Sequence, residues 1–192
     1  MTAVPTGRRS GVLVVAATQV EAAHVPDRYD LLITGIGKTA AATALARRLA
    51  SYPVGELGEL QVVNIGTAGA LHDHHTGLFE PGTVLNHDLS ADAIRALGYD
   101  PRERLTVGES PVVLATGDLF VSDPVRRSEL AARADLVDME GYALAYVCAE
   151  FGVDIRLLKH VSDSADESAL SWSEVVDLSA RALADRLLQD HP

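Results

Sequence analysis

Short apolar runs that end in polar or glycine-rich turns recur along this chain, and no other feature of the sequence constrains the fold as strongly. The first run, residues 11–17, is continuously apolar, as expected for a strand that is covered on both faces. Helical spacing of apolar residues follows several runs, for example over residues 39–51. Further apolar runs occupy residues 29–34, 60–65, 81–85, 111–115 and 155–161. The alternation predicts a three-layer α/β/α fold around a central mixed, largely parallel sheet.

The first ten residues differ from the rest of the chain. Residues 1–10 are polar and contain no long apolar stretch, so we expect a flexible N-terminal tail and not a signal peptide. Residues 11–192 contain no repeat, low-complexity segment or linker long enough to divide them, which predicts a single domain. The hydrophobic content of 47% is sufficient for a sizeable core at this length.

Charge and composition argue against several classes of partner. A net charge of −11 disfavours nucleic acids and anionic membranes, because both would repel the protein. No window of the sequence approaches the roughly 20 apolar residues that span a bilayer. Cys148 is the only cysteine, so the chain cannot form an internal disulfide, and a reducing compartment is indicated. We therefore expect a cytoplasmic protein without nucleic-acid or membrane partners.

Two motifs suggest a cofactor or a metal at first sight, and neither is complete. Residues 35–39, Gly-Ile-Gly-Lys-Thr, resemble the end of a nucleotide-binding P-loop, but Leu32 stands where the first glycine is required. A dinucleotide fingerprint would need a third glycine where Ala40 stands. The histidines of residues 72–75 could bind a metal, although a solvated cluster is favoured because no further ligand group stands out. The sequence indicates neither a cofactor nor a metal.

Carboxylates stand near the ends of three predicted strands. Glu21 follows the first apolar run. Glu140 lies where a short apolar run gives way to helical spacing, and Asp163 closes the run at residues 155–161 together with Ser162. The carboxyl ends of parallel strands meet at one edge of a sheet, where α/β proteins bind their ligands. Each carboxylate could cap a helix, but together they suggest an acid/base or sugar-binding group.

Five short motifs occur in an order that is more specific than any one of them alone. They are Gly35–Lys38, Asn64–Gly69, Gly117–Val121, Asp138–Glu140 and Ser162–Asp163. In this order and spacing, the chain resembles the nucleoside phosphorylase/nucleosidase superfamily, and within it most closely the bacterial 5′-methylthioadenosine/S-adenosylhomocysteine nucleosidases. The resemblance extends from about residue 11 to the final helix and is loose between residues 86 and 110.

The resemblance implies hydrolysis of an N-glycosidic bond, with release of adenine from a 5′-thio-substituted ribose. It identifies Asp163 as the general acid that protonates N7 of adenine, and Ser162 as the residue that orients this carboxyl group. Glu21 would activate the attacking water, and Glu140 would hold the ribose hydroxyls. Such a reaction needs a better leaving base and a ribose that can develop oxocarbenium character.

The same resemblance implies the remaining contacts of a purine nucleoside. Met139 would pack under the sugar, Phe120 would stack on the base, and the backbone of Val121 would read the purine edge. Met139 and Phe120 could also be ordinary core residues, which is the commoner use of these residue types. The region around the water and the ribose would be lined by Thr67, Ala68 and Gly69.

Departures from the family pattern bear on the reaction and on the substrate. Phosphorylases of the superfamily have an arginine where this chain has Asn64, and an anionic Glu21 would repel phosphate, so hydrolysis is favoured over phosphorolysis. Lys159, a supporting residue, replaces an arginine near the catalytic glutamates, so the charge is kept and bidentate pairing is lost. Asp138 replaces a glutamate.

The divergent segment at residues 86–110 leaves the 5′ substituent of the substrate open. In the family this segment helps to form the pocket for that substituent, partly across a dimer interface, so the resemblance implies a homodimer. Three alternatives remain: a futalosine hydrolase or another purine nucleosidase, a nucleoside-binding protein that has lost catalysis through shortened loops, and a phosphorylase.

Overall fold

The computed structural model of the chain describes residues 11–166 and 172–191, so the predicted tail at residues 1–10 lies outside the described residues. The strands are β1 (Val12–Ala16), β2 (Asp30–Ile33), β3 (Gln61–Ala70), β4 (Leu78–Phe79), β5 (Thr83–Asn86), β6 (Arg104–Thr106), β7 (Val113–Thr116), β8 (Leu136–Asp138) and β9 (Asp154–Asp163). The α-helices are α1 (Lys38–Leu49), α2 (Ala91–Ala96), α3 (Pro124–Ala131), α4 (Gly141–Phe151) and α5 (Trp172–Asp190). A 3₁₀ segment, Val54–Glu59, leads from α1 into β3.

The strands form one mixed sheet in which parallel pairs predominate. The order is β2-β1-β3-β8-β7-β5-β6, and β9 pairs with β3 and β4. The pairs β1–β2, β1–β3, β3–β9, β5–β7 and β7–β8 are parallel, whereas β3–β8, β4–β9 and β5–β6 are antiparallel. The prediction of a central mixed, largely parallel sheet with flanking helices is confirmed.

Strand β1 shows why its sequence is apolar at every position. Leu13 and Val15 point to the face that is covered by α1 and α4. Val12, Val14 and Ala16 point to the opposite face, where the buried leucines of α5 pack. Because side chains alternate along a strand, a strand with helices on both faces needs apolar residues at odd and even positions.

Strand β3 continues to Ala70, beyond the apolar run at residues 60–65. From the sequence, the small residues 66–70 favour equally a tight turn and a ligand that lies against the backbone; the structure places them within the strand, so the tight turn is wrong. A Cβ atom at Gly66 would lie 3.2 Å from the Lys159 amine and 3.3 Å from a Glu21 oxygen. At Gly69 it would lie 2.9 Å from a carboxylate oxygen of Asp163, so the small residues make room for charged groups that pack on the strand.

Two strands were missing from the sequence prediction. Strand β4 has two residues, and β6 has the sequence Arg-Leu-Thr, which carries no apolar run. Both obtain their conformation from a neighbour, since β4 pairs antiparallel with β9 and β6 pairs antiparallel with β5. Periodicity in a single sequence does not reveal strands that are defined only by their partner.

The helices of the described residues include none that is long and apolar enough to cross a membrane. Cys148 faces the core from α4, and burial raises the pKa of its thiol to about 12, as expected for a packing residue.

The rings of His72, His74 and His75 contact one another in tilted and edge-to-face arrangements, with centroid separations from 4.3 to 5.6 Å. Over residues 11–166 and 172–191, no group of histidine, cysteine and acidic side chains is arranged to hold a metal ion.

Candidate active site

A pocket with a volume of about 530 Å³ opens at the carboxyl ends of β1, β3, β8 and β9. This is the edge of the sheet at which the strand-end carboxylates were predicted to meet. The predicted site residues that line it are Glu21, Thr67, Ala68, Gly69, Phe120, Val121, Met139, Glu140, Ser162 and Asp163. Lys159 is not a lining residue; it lies buried directly behind the wall. The structure thus brings together every side chain proposed for catalysis or substrate contact.

Glu21 is buried and held by two threonines. Its Oε2 atom accepts hydrogen bonds from the backbone N–H of Thr18 at 3.1 Å and from the Thr18 hydroxyl at 2.9 Å. Its Oε1 atom accepts from the backbone N–H of Thr67 at 2.9 Å and from the Thr67 hydroxyl at 3.0 Å. Four donors fix the position and direction of the carboxylate at the junction of the β1 turn and β3.

Glu140 occupies the position immediately before α4. Its Oε1 atom accepts a 2.8 Å hydrogen bond from the backbone N–H of Gly37, which has a positive φ of 95°. Burial is the main cause that raises the pKa of Glu140 to about 7, and the negative charge of Asp138 adds to it. Glu140 is therefore poised to gain or lose a proton near neutral pH, unlike an ordinary surface glutamate.

Asp163 ends β9 and points into the pocket. Its Oδ2 atom accepts a 2.7 Å hydrogen bond from the Ser162 hydroxyl, and its Oδ1 atom accepts one of 2.9 Å from the backbone N–H of Ala165. Gly69 passes so close to Asp163 that a side chain there would collide with the carboxylate. The Ser162 hydroxyl thus holds the carboxyl group of its neighbour in one direction.

Lys159 and Asp138 form a buried ion pair beneath the pocket. The Lys159 amine lies 2.9 Å from Asp138 Oδ2, and both side chains are 1% exposed. The backbone N–H of Gly141 also donates to Oδ2, and the Thr116 hydroxyl donates to Oδ1. Burial alone would lower the pKa of Lys159, but the attraction of Asp138, Glu140 and Glu21 outweighs it, so the pKa is raised and the lysine stays charged.

The loop after β7 supplies the apolar side of the pocket. Val121 is buried, whereas Leu119 and Phe120 are 54% and 55% exposed, and Ile36 of the glycine-rich turn is 60% exposed. Phe120 is thus a wall residue at the pocket mouth, and the alternative that it belongs to the core was wrong. Apolar side chains of this kind suit contact with the flat face of a purine base.

The glycine-rich turn at residues 35–38 binds the chain's own carboxylates. Its backbone N–H groups donate to Glu140 from Gly37 and to Asp118 from Lys38, at 2.8 and 2.7 Å. The Lys38 amine contacts Asp88 and donates to Asn86 at 2.9 Å. These donors would hold the phosphates in a P-loop, and their occupation here agrees with the incomplete motif.

Several lining residues were not singled out from the sequence. Thr18 could have been found, because Thr18 and Glu21 have the Thr-x-x-Glu spacing in which the two side chains hydrogen-bond reciprocally with backbone N–H groups. For Trp172 the sequence predicts only a place in the capping box that starts the last helix at residues 171–174, and Ser171 lies outside the described residues. The remaining lining residues for which no substrate contact was predicted are Ala17, Ile36, Leu119, Val137 and Asp138.

Comparison with known families defines the class of this protein. The family model described as the phosphorylase superfamily matches residues 27–189. The match covers most of the chain, so the protein belongs to the phosphorylase superfamily, as the ordered motifs indicated.

Individual relatives show which members of the superfamily this chain resembles. An aminodeoxyfutalosine nucleosidase of Helicobacter pylori is 41% identical over 115 residues, which are 58% of this chain and 49% of that protein. A 5′-methylthioadenosine/S-adenosylhomocysteine nucleosidase of Buchnera aphidicola is 27% identical over 164 residues, 71% of this chain and 62% of that protein. The chain spans about half the length of the aminodeoxyfutalosine nucleosidases that it matches.

A solved structure shares the fold. The 5′-methylthioadenosine/S-adenosylhomocysteine nucleosidase from Helicobacter pylori, crystallised with butyl-thio-DADMe-Immucillin-A, has a TM-score of 0.78 to this protein. The alignment covers 95% of this chain and 98% of that chain at 22% identity. At this identity the similarity establishes the architecture, and the chemistry has to be argued from the residues themselves.

Proposed function

We propose that this protein hydrolyses the N-glycosidic bond of a purine nucleoside, with 5′-methylthioadenosine or S-adenosylhomocysteine as substrate and adenine as the released base. The main support is the convergence of Glu21, Glu140 and Asp163 on one pocket that also offers an apolar wall. The names of the curated relatives support the same reaction class.

In the proposed reaction the bond between C1′ of the ribose and N9 of the purine breaks as water adds to C1′. Asp163 donates a proton to N7, so that the base leaves with the bonding electron pair as a neutral purine. Glu21 accepts the proton of the attacking water, whose oxygen forms the new bond to C1′. The ribose carries oxocarbenium character in between, which neighbouring carboxylates stabilise.

Glu140 binds the ribose in this scheme. A carboxylate accepts hydrogen bonds from two vicinal hydroxyls, and Gly37 already fixes its direction. Met139 precedes it along the chain and would cover the sugar face. Because its pKa is raised to about 7, we expect ribose binding to strengthen as Glu140 ionises near neutral pH.

The charges of the pocket favour water over phosphate as the nucleophile. Among the described residues, the charged side chains that line it are all carboxylates: Glu21, Asp138, Glu140 and Asp163. The amide of Asn64, at the position of the family arginine, donates to the backbone oxygens of Val15 and Ile65 and is buried. Phosphate recognition depends on guanidinium or ammonium groups that face the ligand.

A second candidate substrate is aminodeoxyfutalosine, or futalosine itself. The observation that favours it is the 41% identity with the Helicobacter pylori aminodeoxyfutalosine nucleosidase. Both candidates require the same base and ribose chemistry and differ in the 5′ substituent, which the divergent segment at residues 86–110 would contact.

We also propose that the protein acts as a cytoplasmic homodimer. The support for the dimer is the exposure of apolar side chains at the pocket mouth, namely Ile36, Leu119 and Phe120. A second subunit would cover this rim and narrow the entrance. Light scattering after size-exclusion chromatography tests the dimer, and a monomer at micromolar concentration would refute it.

The test of the function is a phosphate-free assay for free base. The nucleosides are 5′-methylthioadenosine, S-adenosylhomocysteine, adenosine, inosine and futalosine, assayed in parallel. We expect adenine release from the thio-nucleosides. Exclusive turnover of futalosine would establish the second candidate, and release that requires phosphate would establish a phosphorylase. Tight binding without turnover in either buffer would overturn the enzyme assignment.

A further inference from the structure

The Glu21 carboxylate has no free acceptor position in this structure. A carboxylate offers about four lone-pair sites. The backbone N–H and hydroxyl groups of Thr18 and Thr67 supply four donors, all between 2.9 and 3.1 Å. A water that is to lose a proton to Glu21 must therefore displace one of these donors, and the two backbone N–H groups cannot turn away without moving the chain.

Trp172 fixes the direction of the Thr67 hydroxyl group. Its indole Nε1–H donates a 2.8 Å hydrogen bond to the Thr67 hydroxyl oxygen, across 105 positions of sequence. An indole nitrogen is a donor only, so the Thr67 hydroxyl has to direct its own proton to another acceptor. That acceptor is Glu21 Oε1, at 3.0 Å. The three side chains form a directional chain of donors that ends at the carboxylate.

We propose that Trp172 is a positioning residue that acts through Thr67: it locks the Thr67 hydroxyl as a donor to Glu21 Oε1 and so fixes the direction of this carboxylate at the site of the attacking water. The Thr18 hydroxyl is held in a similar way, because it accepts from the backbone N–H of Glu21 and donates to Oε2. The proposal rests on the proposed role of Glu21 as the base in hydrolysis. A phenylalanine at position 172 could fill the same space, but it could not fix the direction of the Thr67 proton.

The charged groups that face Glu21 act in the same setting. Lys159 and Glu140 both interact electrostatically with Glu21 from behind the pocket wall and from the start of α4. The hydrogen bond from Thr67 fixes the direction of the Glu21 carboxylate among these charges, so its loss leaves the carboxylate less firmly oriented.

The indole group provides a readout that needs no enzymatic activity. Trp172 is the only tryptophan of the chain, so a ¹⁵N-labelled sample gives one indole N–H cross-peak. We expect its chemical shift to report the hydrogen bond to the Thr67 hydroxyl. Thr67→Ser keeps the hydroxyl and should leave the shift close to that of the wild type, whereas Thr67→Val removes the acceptor and should move it. Glu21→Gln changes the acceptor of the Thr67 proton and should also move the shift, and Glu140→Gln is the control for a change of nearby charge alone.

The kinetic test compares Trp172→Phe with the double variant Trp172→Phe/Thr67→Val. We expect Trp172→Phe to lower kcat about 10-fold and to leave KM within a few-fold. In the Thr67→Val background the same substitution should have no further effect on kcat. An indole peak that does not move in Thr67→Val or in Glu21→Gln, or additive effects of the two substitutions on kcat, would overturn the proposal. Absence of hydrolysis by the wild type would refute the proposed function instead, and the indole shifts would still decide the coupling.

Discussion

The two walls of the pocket are built in opposite ways. On the wall formed by β1, β3 and β9, the polar groups are held by several hydrogen-bond partners, as Glu21 and Asp163 illustrate. On the wall formed by the loop after β7, Leu119 and Phe120 are more than half exposed. The first wall is organised before any ligand arrives, whereas the second lacks a cover on its outer side.

The difference assigns different tasks to the two walls. Fixed donors and charges lower the cost of reorganisation during a reaction, so the carboxylate wall is suited to bond cleavage. An open apolar wall gains most from the ligand or the subunit that covers it, so it is suited to binding and to selecting a substrate. Changes on the first wall should therefore affect kcat and stability, and changes on the second should affect KM.

The largest expected effect is on turnover, at Asp163. Asp163→Asn removes the proton donor and keeps the shape, so kcat should fall by roughly 10²- to 10⁴-fold while the affinity for substrate stays within a few-fold. Single-turnover kinetics and equilibrium binding measure the two quantities separately. Ser162→Ala is the matched control, because it removes only the orienting hydroxyl, and its loss should be much smaller. Undiminished turnover in Asp163→Asn would remove Asp163 from its proposed role.

The next effect concerns stability and the buried ion pair. Lys159→Met leaves Asp138 buried without its cation, and the free energy of unfolding should fall by about 3–5 kcal/mol. Urea denaturation measures the change. Arg181→Met breaks an ion pair in which both side chains are 60% exposed, and it should have no measurable effect. If the free energy of unfolding fell equally in the two variants, the carboxylate wall would not depend on Lys159 for its stability more than on a surface ion pair.

A smaller effect is the pH dependence that Glu140 adds to stability. The pKa of Glu140 in the folded protein is raised to about 7 from an ordinary value of 4.5, so the folded state binds more protons between these limits. The contribution of Glu140 to the free energy of unfolding should therefore be largest near pH 4.5 and should decrease as the pH rises to 7. Urea denaturation of the wild type and of Glu140→Gln across this range measures it as a difference. The expectation would be contradicted if the free energy of unfolding of the wild type increased relative to that of Glu140→Gln as the pH rises.

The smallest effect should come from the open wall. Phe120→Ala removes a stacking surface and should raise KM about 3- to 10-fold, with kcat and the melting temperature nearly unchanged, because the ring is 55% exposed. The KM of Phe120→Leu should lie between that of the wild type and that of Phe120→Ala. Steady-state kinetics checks this, and a large fall in kcat would show that the two walls do not divide their tasks in this way.

The sequence predicted the carboxylates of the site better than their surroundings. Glu21, Glu140 and Asp163 stand near strand ends, and a parallel sheet gathers such positions at one edge. The sequence did not predict the contact of Trp172 with Thr67, because the two residues are 105 positions apart and no periodic pattern links them. It left open whether Gly66 and Gly69 belong to a tight turn or approach a ligand, and it did not reveal that they pack against charged groups on a strand, because all three arrangements require small residues.

The pairing of β3 with β9 has a consequence for the synthesis of the protein. Register in this pair joins Gln61 to Asp154 and Gly69 to Asp163, so the pocket needs residues that lie far apart along the chain. Such distant contacts carry a high entropic cost and form slowly. During translation, a ribosome-bound chain that ends before β9 has Glu21 and the glycines of β3 but no Asp163 or Lys159 to pack on them. The nascent protein is therefore inactive until its last strand emerges, and until then the bare edge of β3 is open to chaperones or to aggregation.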